Sequence, residues 1–411
     1  MGHPEHALPS VPAPALAALP QTLGSSERFF VSLRAIAPTN LARVITIEGV
    51  LPAQRLAWAL RQLQARHPLL RARIERTRFV HSRLEDSPAL VLRSEARRDD
   101  LHWQRALPRL LDTPLRSPLE LHYLIGEFGQ RSELILVAEH ALSDGVSMNS
   151  LCAELLALCA QQTPRPPRPL RPVLERMLPA FSQRQRARAF TGSLLRMARF
   201  ALRRRSPRAL STAYLHAELS AESTTRLIER ARKEDTTVTG ALMAAVANGQ
   251  RYALSLPVNL RPHLPELSAE DLANYTSATY LEAQPCPDFW ANARTLKRAL
   301  AEAVQPQNLL AATSLVYRTG TLFVRRQRPL ARAMISNSGL VPFARDYGAF
   351  QPVAFHTGTS APMLSADYAY FCNTLHGKLT INLIYAPQVV SRSQAERTLE
   401  RVRATLEDSH V

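Results

Sequence analysis

Lysine is nearly missing from this chain of 411 residues, occurring only at Lys233, Lys297 and Lys378. The net charge of +17 is therefore an arginine charge. Cysteine is scarce too: Cys152, Cys159, Cys286 and Cys372 include no Cys-x-x-Cys pair. That excludes a disulfide-stapled secreted scaffold and a thioredoxin-like redox motif, and buried reduced thiols in a cytoplasm are expected. There is no His-Glu-x-x-His and no zinc-ligand spacing, so no metal site is expected. No apolar run approaches the length that spans a bilayer. A Gly-x-Ser-x-Gly elbow is absent, and none of the cysteines stands in a catalytic setting, so no serine or cysteine nucleophile is evident. The first residues lack a basic start and are interrupted by prolines, so residues 1–25 read as a disordered arm rather than a secretory signal.

What is present is ordinary globular composition, 46% hydrophobic and 21% charged, in a chain long enough for two domains. The stretch that organises it runs from Glu133 to Gln161. Leu134–Ala138 is a short apolar run, read as a buried strand. Residues 146–160 are apolar at helical spacing, with Met148, Leu151, Leu155 and Leu156 on one face. The polar seam between them carries His140, Asp144 and Gly145. A turn flanked by rigid elements exposes polar groups and fixes them. Imidazole suits proton transfer near neutral pH, and Gly145 would permit close approach of a substrate. The structural alternative is a hydrogen-bonded histidine beside a strand, with Asp144 as the N-cap of the helix.

Elsewhere the pattern alternates strands and helices. Residues 51–66 predict an amphipathic helix stopped by His67-Pro68. Residues 119–127 and 132–138 predict a hairpin, and 108–111 a short helix. His67 reads as a cap or structural contact. Between Pro164 and Leu210 stand 13 arginines and one acid, Glu175. The Pro/Arg-rich part, 163–176, reads as a linker. Residues 190–205 read as an amphipathic basic helix that crosses between halves, packs across the cleft as a lid, contacts a membrane surface, or docks an acidic carrier protein. The domain reading is an arm (1–25), a first subdomain (26–162), a basic crossover (163–211) and a second subdomain (212–411).

His140-x-x-x-Asp144-Gly145 resembles the active-site motif of the chloramphenicol-acetyltransferase-like acyltransferases, a superfamily that includes condensation domains. Other segments agree in order: LRQLQARHPLLRARI (60–74), LPVNLRPHL (256–264), NYTSATY (274–280), ISNSGLV (335–341) and LHGKLTINLIY (375–385). Glu139-His140 stands where condensation domains usually have His-His, and Asp346-Tyr347-Gly348-Ala349-Phe350 is a degenerate echo of a late plant-enzyme motif. The chain is most similar to stand-alone polyketide-associated or alcohol acyltransferases. The resemblance implies an α/β fold of two such subdomains forming a pseudo-dimer, with the active site in a channel between them.

It further implies His140 as general base and Asp144 as a structural residue paired, bidentately, with Arg261. Gly145 and Asn337 would bind substrate, Asn337 as an oxyanion donor or a strand bridge. The donor would be a thioester of coenzyme A or of a phosphopantetheinyl carrier protein, with no tightly bound cofactor. The acceptor would be a small-molecule or lipid alcohol, an amine second, in lipid, polyketide or peptide natural-product biosynthesis. A cytoplasmic monomer is expected, with no nucleic-acid partner. The alternative is a catalytically silent, condensation-like domain that recruits a carrier-bound substrate.

Overall fold

The structure, a computed structural model, describes residues 21–127, 131–202, 210–360 and 366–408. Among them three sheets form, of five, six and three strands. The five-stranded sheet is built from Phe350–Thr359, Asn40–Gly49, Arg131–Glu139, Leu119–Ile125 and Val91–Ala96, in that spatial order. The six-stranded sheet runs Thr276–Ala283, Tyr252–Asn259, Ala331–Leu340, Ala366–Leu375, Lys378–Tyr385 and Ala213–Leu219. Two hydrophobic cores result, one spanning the five-stranded sheet and the interface, the other on the far side of the six-stranded sheet.

One strand departs from the expected division at 212. Phe350–Thr359 pairs antiparallel with Asn40–Gly49 over its length, so the late chain supplies an edge strand to the early sheet. Its residues hide this in the sequence. Pro352 cannot donate to a ladder and sits beside a register shift, which an edge strand tolerates. The strand Ala366–Leu375 was also unforeseen. It is central and buried on both faces, so Tyr, Phe, Cys and Asn follow one another without alternation.

The arm reading fails over its last residues. Residues 1–20 lie outside the described residues, but Gln21–Thr22 pairs with Arg78–His81 and a helix begins at Ser25. Glu175 accepts from Ser25 N at 2.6 Å, so the one acid of the basic stretch caps this first helix. The 163–176 segment is likewise no free linker. Arg168 N donates to Arg66 O at 2.8 Å, and the guanidinia of Arg168 and Arg171 reach Asp271 at 2.8 and 3.1 Å. Arg165 pairs with Glu270. The basic crossover thus straps the loop that holds Arg261.

The crossover helix spans Gln183–Ala201, earlier than predicted, with Met197 and Ala201 buried and Arg184, Arg186 and Arg188 exposed. It packs along Pro306–Arg325. Residues 203–209 and the hairpin turn at 128–130 lie outside the described residues. The helix predicted from Pro108 begins at His102 instead, with Pro108 inside it. No described helix is long and apolar enough to cross a membrane.

Candidate active site

The strand Arg131–Glu139 is buried from Ser132 to Ala138 and lies between two neighbours of its sheet. At its end the chain leaves the ladder. His140 N donates to Thr39 O at 2.9 Å, and Leu142 N to Glu139 O at 3.0 Å. The helix Gly145–Cys159 follows directly, and Asp144 is its N-cap.

Asp144 uses each carboxylate oxygen differently. Oδ1 accepts from Ser147 N and Ser147 Oγ, each at 2.9 Å. Oδ2 accepts from Arg261 Nη1 at 2.8 Å and from Tyr275 N at 2.9 Å. The pairing with Arg261 is therefore not bidentate, because the cap occupies the other oxygen. Burial pushes this carboxyl up, but Arg261 and the N–H groups of Ser147 and Tyr275 outweigh it, so Asp144 lies below its ordinary pKa. Arg261 spends its remaining donors on Ser268 O (3.0 Å), Ser147 Oγ (2.9 Å) and Asp271 O (3.0 Å). Asp144 is 1% exposed and Arg261 5%. Together they lock the turn and are sealed from solvent.

His140 is held by different groups. The Phe30 ring stacks on the imidazole, centroids 4.0 Å apart and planes at 9°. Asn274 Nδ2 lies 3.2 Å from both His140 Nδ1 and His140 O. The amide orientation of Asn274 is fixed because its Oδ1 accepts from Thr276 N at 3.2 Å. Burial pushes the imidazole down to about 4; its own carbonyl and Asp144 act weakly the other way, and Arg43 adds to the lowering. The ring is neutral at pH 7.

His140 opens on a cavity of about 220 Å³ between the two large sheets. Arg43 and Gly145 line the same side; Ser336 and Asn337, from the strand Ala331–Leu340, line the other. Most of the wall is apolar, including Phe30, Val146, Met334 and Phe371. Asn337 accepts from Gly339 N at 3.1 Å and donates to Thr239 Oγ1 at 3.2 Å, which leaves one of its amide hydrogens uncommitted among the described residues. Gly145 runs close to the guanidinium: a Cβ there would meet Arg43 Nη2 at 3.2 Å. The structure thus brings His140, Gly145 and Asn337 to one cavity and keeps Asp144 and Arg261 behind it. His67 is elsewhere, with Nε2 2.9 Å from Glu154.

Arg43, Phe30 and Asn274 were not singled out in the sequence. Arg43 is 3% exposed and donates to Asn149 Oδ1 (2.7 Å), Ala42 O (3.0 Å) and Gly145 O (3.0 Å). No carboxylate of the described residues forms an ion pair with it. Its signal was available: in Asn40–Gly49 it shares a face with Leu41, Ile45 and Ile47, and a charge on an apolar face is unusual. Phe30 and Asn274 carry no such mark, because only the tertiary fold brings them to His140.

No sequence-family profile matches the chain, and neither does any curated protein. Solved structures do. The trichothecene 15-O-acetyltransferase TRI3 from Fusarium sporotrichioides superposes with a TM-score of 0.78 at 12% identity, covering 95% of each chain. Polyketide synthase associated protein 5 from Mycobacterium tuberculosis gives 0.69 at 18%, covering 95% of this chain and 99% of that one. The condensation domain of the monacolin K polyketide synthase MokA gives 0.65 at 14%, covering 95% and 97%. What is shared at these identities is the fold. The chain has the two-subdomain, chloramphenicol-acetyltransferase-like fold of acyltransferases and condensation domains.

Proposed function

We propose that the chain is a thioester-dependent acyltransferase with His140 as general base. The observation that carries this is the isolation of His140. It is a neutral imidazole at the cavity wall, held by Phe30 and Asn274, while the neighbouring carboxylate is turned away and tied to Arg261. The reading requires the tautomer in which Asn274 Nδ2 donates to His140 O, Nδ1 carries the ring proton and Nε2 is left to take a proton. An acceptor hydroxyl would give its proton to Nε2 as its oxygen attacks the thioester carbon. The C–O bond forms, the C–S bond breaks, and the imidazolium returns the proton to the leaving thiolate. The free amide hydrogen of Asn337 is a candidate donor to the oxyanion of the intermediate.

The donor in this reading is a coenzyme A or carrier-protein thioester, and the acceptor an alcohol before an amine. The apolar wall favours an acyl group or acceptor of lipid or polyketide character, as in natural-product biosynthesis. The exposed arginines of Gln183–Ala201 would suit an acidic carrier protein. The test offers acyl-coenzyme A and acyl-carrier thioesters with alcohol and amine acceptors to the wild type and to His140→Ala, read by mass spectrometry. Product should form with the wild type and fall about 10²–10⁴-fold in the variant. An unchanged rate in the variant would remove His140 from the mechanism.

A further inference from the structure

A second histidine cluster lies away from the cavity, where the two large sheets meet. His216 and Glu218 stand two apart on Ala213–Leu219, so both side chains leave the same face of that edge strand. His356 comes from Phe350–Thr359, the edge strand that the late chain lends to the other sheet. Trp103, on the helix His102–Leu111, covers both rings, stacking on His356 at 4.3 Å and lying 5.6 Å from His216. One nitrogen from each histidine and one carboxylate oxygen all lie within 4.8 Å of one another.

The hydrogen bonds settle which nitrogen His356 can offer. Asn382 is fixed in orientation: its Nδ2 donates to Phe371 O at 2.8 Å, and its Oδ1 accepts from Thr357 N at 3.2 Å. Tyr214 must therefore donate its only hydroxyl hydrogen to Asn382 Oδ1, at 2.8 Å. The contact between Tyr214 Oη and His356 Nδ1, at 3.1 Å, then has the imidazole as donor. Nδ1 carries the proton and Nε2 keeps its lone pair. A histidine whose other nitrogen is held by an outer partner is the arrangement metal-ligating histidines use.

We propose that His216, Glu218 and His356 form a three-ligand site for a divalent transition metal, zinc by the chemistry of its donors, that ties the two sheets together. Two imidazoles and a carboxylate are a known zinc set, with a fourth position left for water. Zinc–ligand bonds of about 2.0–2.2 Å require the donor atoms to draw together from their present spread. Glu218 is exposed and free to change rotamer, so it supplies most of that movement. Local spacing could not reveal the site, because its third ligand is remote in sequence.

The full-length protein, stripped with a chelator, is titrated with Zn(II), Co(II) and Mg(II). We expect uptake of one Zn(II) per chain, a higher melting temperature with Zn(II) and not with Mg(II), and visible ligand-field bands with Co(II). His216→Ala and Glu218→Gln change the more accessible ligands and spare the buried His356. Each should weaken uptake by more than about 10-fold, and Tyr214→Phe by about 10–100-fold, as loss of an outer partner does. Co(II) should quench Trp103 fluorescence in the wild type and not in His216→Ala. A melting temperature indifferent to zinc, or full uptake by both ligand variants, would overturn the site.

Discussion

Arg43 and Arg261 are both buried arginines beside the same turn, and they are satisfied in opposite ways. Arg261 meets a carboxylate and spreads its other donors over backbone and hydroxyl oxygens. Among the described residues Arg43 meets neutral oxygens alone, and burial lowers it to about 10 against the pull of Cys152 and Asp144. It remains a cation at pH 7, at the cavity wall beside His140. One side of the turn is electrically closed; the other leaves a positive charge where the proposed chemistry would develop a negative one. The difference separates what holds the loop from what conditions the cavity, and each half can be broken alone.

The largest effect should come from the closed side. Arg261→Met leaves Asp144 buried without its counter-charge, at a cost of about 3–5 kcal/mol. Urea unfolding should show a lower midpoint with an unchanged slope. A midpoint equal to wild type would mean that Asp144 and its cap hold the turn without the arginine. Arg43→Met should cost less, because no buried charge is orphaned. The lost partners are Asn149 Oδ1 and two carbonyls, about 1–3 kcal/mol in all. Its effect should fall mainly on catalysis: kcat should drop while melting falls less than in Arg261→Met. If Arg43→Met unfolds the chain as Arg261→Met does, the contrast between them is wrong.

The same contrast explains what could be read in advance. The strand–turn–helix around His140 was legible because an apolar run, a polar seam and a helical period follow one another within one short stretch. Asp144 and Arg261 were legible because each sits in a recognisable local motif. Arg43 is marked only by its place on an apolar strand face. Phe30 was not legible, since a stacked ring leaves no local pattern; Asn274 opens the segment 274–280, but nothing local assigns its amide to His140. The edge strand Phe350–Thr359 was concealed by Pro352, and the central strand Ala366–Leu375 by its lack of alternation. Local periodicity reports half-buried elements; elements buried on both sides, or lent across to another sheet, escape it.

A pH experiment sharpens the account of His140 itself. Its folded pKa, about 4, lies below the ordinary 6.5, so between these values the unfolded chain binds a proton that the native chain does not. Stability should therefore fall as pH falls through that window, and above 6.5 this group should contribute no pH dependence. His140→Asn should flatten that part of the curve, while His216 and His356, also lowered by burial, keep the remainder. In the wild type, kcat/KM should be level from pH 5 to neutrality. An activity limb near 6.5 would mean that the free enzyme leaves His140 far better solvated than its packing against Phe30 implies.

The smallest effect tests how closely the two sides of the turn are coupled. Gly145→Ala places a methyl 3.2 Å from Arg43 Nη2, so the guanidinium must shift by a few tenths of an ångström. Opposing this, alanine restricts the unfolded chain more than glycine does, which stabilises by about 0.4–1 kcal/mol where the backbone is compatible. The backbone at Gly145 is helical, and it is not among the positive-φ glycines. Net stability should therefore stay within about 1 kcal/mol of wild type, while kcat falls as Arg43 is displaced. The pair of numbers is decisive because the two regions predict different ones. If the turn were a single rigid unit, crowding Arg43 would also disturb the Asp144 cap, and melting would drop together with activity. A kcat change without a melting change would show that Arg43 moves independently of the Asp144–Arg261 lock.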